Sequence, residues 1–142
     1  MVIILEKQCE QEVIGLHKFF EQWFKSEITN DKETLNRFHD VLADEFMLIM
    51  PNGNTTLKEP IVKQIESGYG SHAKDEIPYE LWVQNINSRL IEDNLCLVTY
   101  EEWGKVHGEL NARLSSALFR KKEGTINGVE WIHVHETVIP TE

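Results

Sequence analysis

Residues 131–137 read WIHVHET, with His133 and His135 two apart and Glu136 beside the second. Apolar and polar side chains alternate, which is the period of a half-buried strand. Successive side chains on a strand point to opposite faces, so the stretch divides in two. Trp131, His133, His135 and Thr137 share one face; Ile132, Val134, Glu136 and Val138 share the other. The same period runs through YELWVQNINS (79–88), LCLVTYEEWGKV (95–106) and ARLSSALFRKK (112–122). HGEL (107–110) and KEGTING (122–128) supply glycine and polar residues suited to hairpin loops. The second half of the chain is therefore expected to be an antiparallel meander.

The first half has a different period. Between Cys9 and Phe24, Val13, Leu16, Phe20 and Phe24 recur at three- and four-residue steps, and Phe19 and Trp23 widen the stripe. This spacing predicts an amphipathic helix. Asn30 and Glu33 resemble a capping box opening a second helix, with Leu35, Phe38, Val41 and Leu42 as its apolar side. EFMLIMP (45–51) reads as a strand ended by the NGN turn at 52–54. Thr56 and Glu59 read as a second box, with Pro60 tolerated in the first turn of a helix that ends near Gly68. Helices first and a meander after them predict a single α+β domain over residues 1–142, with N-terminal helices packed on a curved antiparallel sheet.

Composition narrows the partners. The chain has 142 residues, 41% of them apolar, enough for a core without disulfide or metal staples. A formal charge of -10 disfavours nucleic acid and anionic membrane surfaces. No apolar run approaches a membrane span, and MVIIL is too short for a signal-peptide core. Cys9 and Cys96 stand on distant segments without paired spacing, which reads as reduced thiols and a cytoplasmic location.

A turn near His107–Gly108 is expected to set Tyr100 opposite Ser116 and Glu102 opposite Leu114. A turn near Thr125 then sets Ser116 opposite Val134 and Leu114 opposite Glu136. On this register the helix-facing side carries Leu114, Ser116, Leu118 and Val134, with Tyr100, Glu102, Ser116 and Glu136 as its polar island. The other face carries Trp103, Phe119, Trp131, His133 and His135, a patch that suggests a homodimer interface. A one-residue slip would exchange these assignments.

The helices, LADEFMLIMPNGNTT (42–56), LVTYEEWGK (97–105), LSSALFRKK (114–122) and the terminal WIHVHET together resemble the nuclear transport factor 2-like superfamily. The last strand is similar to that of the association domain of calcium/calmodulin-dependent protein kinase II. The resemblance implies a cone-shaped fold, a pocket between the helices and the concave sheet face, and often dimers through the other face. It implies no single activity, since the superfamily holds ketosteroid isomerases, dehydratases, epoxide hydrolases, polyketide cyclases and proteins that only bind or assemble. The kinase domain carries arginines on the pocket side, where this chain aligns Glu102, Ser116 and Glu136.

Three functional readings follow. The first is a pocket for a small, largely apolar, neutral or cationic ligand, lined by Tyr100, Glu102, Glu136 and Trp82. If it is catalytic, the chemistry is a cofactor-independent isomerisation, dehydration or cyclisation, with Glu136 or Glu102 as base and Tyr100 as hydrogen-bond donor. Against this, Glu136 can equally be a structural carboxylate held by Arg113, Arg89 or a helix terminus. The second is a non-catalytic homo-oligomeric binding or assembly module. The third is a metal on His133 and His135, which lack the third ligand that a catalytic zinc needs; two interface histidines are the favoured reading, so neither metal nor cofactor is expected.

Overall fold

A computed structural model describes residues 4–141. Helix α1 (Leu5–Phe24) and helix α2 (Lys32–His39) lead into strand β1 (Leu42–Ile49) and the short strand β2 (Thr55–Leu57). Helix α3 (Lys58–Ser67) follows, then β3 (Glu80–Glu92), β4 (Leu95–Val106), β5 (Glu109–Lys121) and β6 (Val129–Ile139). The six strands form one sheet in the order β2-β1-β6-β5-β4-β3. The meander is antiparallel as expected, but β1 joins β6 in parallel, so the sheet is mixed. None of the described helices is long and apolar enough to cross a membrane.

The α1 stripe does what its spacing predicts. Val13, Leu16, Phe19 and Trp23 are buried against the sheet, and the Trp23 indole donates to the Ile65 carbonyl at 2.8 Å, tying α1 to α3. Two cap assignments shift by a residue. Asp31, not Asn30, caps α2 by accepting from the Thr34 amide at 2.8 Å. Leu57 holds the cap position of α3 without a side-chain bond, because Thr56 is drawn into β2, opposite Leu48. The NGN turn closes the β1–β2 hairpin, with Gly53 at φ 88°.

The strand register corrects half of the face assignment. His107 and Gly108 have φ of 53° and 80°, forming the two-residue turn that matches strand twist. Its tightness pairs Val106 with Glu109, hence Glu102 with Arg113 and Tyr100 with Ser115. That is one residue away from the expected register, and one residue turns the whole of β5 over. Arg113, Ser115, Ala117 and Phe119 therefore face the helices. Leu114, Ser116 and Leu118 lie on the outer face and line no interior pocket. A second irregularity, between Leu118 and Phe119, pairs Phe119 with Trp131. The bulge rotates Trp131 inward, so Phe119 and Trp131 are core residues, fully buried or nearly so, and cannot form an interface. His133, His135 and Trp103 stay on the outer face. Trp82 pairs with Trp103 there, away from the cavity it was expected to line.

Candidate functional site

The site is a cavity of about 280 Å³ between the helices and the inner sheet face. Its walls are mainly apolar, with Leu16 and Phe20 from α1, Phe38 from α2, Phe46 and Leu48 from β1, and Ile61 and Ile65 beside Gln64 from α3. Its polar end gathers His17 from α1, Tyr100 and Glu102 from β4, Arg113 from β5 and Glu136 from β6.

His17 is anchored from both ring nitrogens. Nδ1 lies 2.8 Å from the Val13 carbonyl, one turn back on α1. A carbonyl only accepts, so Nδ1 carries a proton. Nε2 lies 2.9 Å from Glu102 Oε1. One further proton is therefore held between imidazole and carboxylate. Burial pushes the His17 value down, and the hydrogen bond and charge of Glu102 outweigh it, so the net direction is up. Burial likewise pushes Glu102 up, and the His17 bond and charge, with help from Arg113, bring it below the usual carboxylate range. The favoured state is an imidazolium–carboxylate pair.

Glu136 is the second acid, with its side chain 11% exposed and Oε1 accepting from Arg113 Nη1 at 2.9 Å. Burial and then the Glu102 charge raise its value, while Arg113 and His17 pull it back without cancelling the rise. Burial, then Glu102 and Glu136, push the Tyr100 phenol well up, so its hydroxyl remains a donor at neutral pH. Ser115, opposite both Tyr100 and Glu136, is fully buried, and its hydroxyl offsets part of the rise on the Tyr100 phenol.

The sequence therefore placed Tyr100, Glu102, Val134 and Glu136 at the cavity. Strand alternation put Arg113 on the outer face, yet Arg113 was also named as a partner that could hold Glu136, and that pair is the one present, at 2.9 Å. Sequence reasoning passed over His17, although His17 stands four residues after Val13 and three before Phe20, on the stripe that α1 buries. It also missed Glu12. This carboxylate is fully buried, accepting from Arg37 Nη1 and Nη2 at 3.0 and 3.1 Å, Asn127 at 3.0 Å and the Trp131 indole at 2.8 Å. Four donors make it a structural node joining α1, α2 and β6. Cys9 and Cys96 are buried and free. Among the described residues no three His, Cys, Asp or Glu side chains cluster to hold a metal ion.

Residues 9–140 match the family described as sucrose-6-phosphate phosphohydrolase C-terminal. A curated relative, sucrose-phosphatase 1 of Nicotiana tabacum, is 24% identical over 127 residues; these are 89% of this chain and only 29% of that protein's length. Among solved structures, an NTF-2 like protein of unknown function from Pseudomonas aeruginosa superposes with a TM-score of 0.80 at 15% identity, covering 94% of this chain and 99% of the other. The CaMKII hub of S. rosetta does so at 0.74 and 10% identity, covering 98% and 100%. The association domain of C. elegans CaMKII gives 0.60 at 18% identity, covering 93% and 97%. These likenesses show the nuclear transport factor 2-like fold.

Proposed function

This chain belongs to the sucrose-6-phosphate phosphohydrolase C-terminal family, and on that premise we propose that it is a small-molecule-binding module whose ligand occupies the cavity between helices and sheet. One observation carries the reading: a mainly apolar chamber ends in convergent Tyr100, Glu102, Arg113 and Glu136 side chains. Apolar walls with a few placed polar groups are the usual make-up of a ligand site. The ion pairs are His17 with Glu102 and Arg113 with Glu136, so the polar end is close to neutral overall. A charged ligand must break one of them, and an uncharged ligand with a hydroxyl or carbonyl head need not. A phosphate dianion is the poorest fit, because each cation at the polar end is already paired with a carboxylate, and the anion would have to displace Glu102 or Glu136 and then face it. The phosphohydrolase activity in the relative's name is therefore not assigned to this cavity.

The pairing of both acids supports recognition over turnover. A second reading rests on the raised Glu136 value beside a protonated Tyr100. That pair suits a cofactor-independent proton transfer, with Glu136 or Glu102 as base and Tyr100 donating to a developing oxyanion. We also propose a homodimer through the outer sheet face, where Leu57 and Leu114 are exposed and Leu118, His133 and His135 lie between them.

A thermal-shift screen of a broad metabolite set against the wild type and Glu136→Gln tests the binding reading. At least one uncharged compound is expected to stabilise the wild type, and to stabilise the variant less. If no compound stabilises either protein, the reading fails. Conversion of a stabilising compound into product moves the case to the second reading.

A further inference from the structure

The outer face of the sheet carries a feature that neither the cavity nor the β5–β6 surface uses. Trp82 and Trp103 are cross-strand partners at the β3 edge. Their rings are nearly parallel, 16° apart, with centroids separated by 6.4 Å. Rings stacked face on face would lie about 3.5–4 Å apart, so these two are offset and each leaves part of its face uncovered. Both are half-buried and border an open groove completed by Glu80, Gln84, Lys105 and Leu110.

The indoles are held by their edges. Trp103 Nε1 donates to Glu101 Oε1 at 2.8 Å, and Trp82 Nε1 donates to Gln84 Oε1 at 3.3 Å. Gln84 Nε2 donates onward to Glu101 Oε1 at 3.3 Å, and Asn85 Nδ2 to Glu101 Oε2 at 2.8 Å. One carboxylate thus collects three donors, holding the Trp103 ring directly and the Trp82 ring through Gln84. Asn85 reaches Glu101 because β3 is irregular there, with Asn85 at φ 54°.

We propose that the Trp82–Trp103 pair is a binding platform for a neutral oligosaccharide. The ring of a sugar presents C–H bonds on its flat faces and hydroxyls around its rim. Two preset indole faces accept the C–H surface and lose little side-chain entropy on binding. Gln84, Glu80 and Lys105 border the same groove as amide and charged partners for the hydroxyls. Bases also stack on aromatic rings, but a nucleic acid brings phosphates to a chain of charge -10, with Glu80 and Glu101 at the platform. A second protein copy is better matched by the surface that carries Leu57, Leu114 and Leu118 than by a tryptophan pair ringed with polar side chains. The inference stands apart from the cavity, and either can fail alone.

The test is a titration of the whole chain with sucrose, maltotetraose and cellotetraose, read by tryptophan fluorescence and calorimetry. At least one is expected to bind with a Kd of about 1 mM or tighter. Trp82→Ala and Trp103→Ala should each weaken that binding at least tenfold while far-ultraviolet circular dichroism stays native. Trp82→Phe and Trp103→Phe, which keep an aromatic face, should retain part of it. The proposal is overturned if none of the three sugars binds, or if binding survives both alanine variants. It is equally overturned if a thymidine oligonucleotide binds the platform instead, or if quencher access to these tryptophans falls as protein concentration rises.

Discussion

His17 and Glu102 depend on each other, and pH exposes that dependence. The folded His17 value lies above its ordinary 6.5, so its contribution is complete below that value and is lost as pH rises through the folded one. The folded Glu102 value lies below its ordinary 4.5, so its contribution is present above 4.5 and is lost as pH falls through the folded one. Both are in place between 4.5 and 6.5. Replacing His17 by Gln should lower the melting temperature most in that window, with the gap to wild type narrowing toward alkaline pH. A gap that stays flat from acid to alkali would contradict the ion pair. Glu12 is the other residue on which much rests. Glu12→Ala leaves the Arg37, Asn127 and Trp131 donors without their acceptor, which should cost about 3–5 kcal/mol of stability. Urea unfolding measures this; a loss below 1 kcal/mol, within the range of an exposed pair, would show that the node is dispensable.

At the scale of elements, periodicity carried the assignment and register limited it. The stripe on α1 and the alternation on β3 to β6 were legible because each repeats over ten residues or more. A strand's inward face is set by the length of its turn, and a period of two makes a one-residue error total. That is how Arg113 came to line the cavity, and Ser115 to be buried on the inner face, where Leu114 and Ser116 were expected. The bulge that turns Trp131 inward leaves the alternation of WIHVHET intact, so nothing local reports it. β2 has three residues, too short for any period, and its pairing with β1 is long-range information. His17 was legible in principle from its place on the α1 stripe, yet its meaning depends on Glu102, 85 positions away in the chain. The α2 cap offers a direct check. Asp31→Ala should lower the melting temperature, because it removes the acceptor for the Thr34 amide. Asn30→Ala should leave it nearly unchanged, and the reverse order would restore the expected capping box.

For the whole molecule, the two proposed roles fall on opposite faces of the sheet. The outer face should join two copies, and Leu114→Arg, at an exposed position in the middle of β5, should convert a dimer into a monomer in sedimentation experiments. A wild type that sediments as a monomer at all concentrations would remove the interface. The inner face should hold a ligand, and the four tryptophans report on the two faces separately. Trp131 lines the cavity, Trp23 lies in the core, and Trp82 and Trp103 lie outside. The most direct measurement is the indole ¹H–¹⁵N spectrum during titration with a compound that stabilises the protein. The Trp131 signal should move while those of Trp82 and Trp103 stay in place. A Trp131 signal that stays fixed at saturation would contradict binding in the cavity.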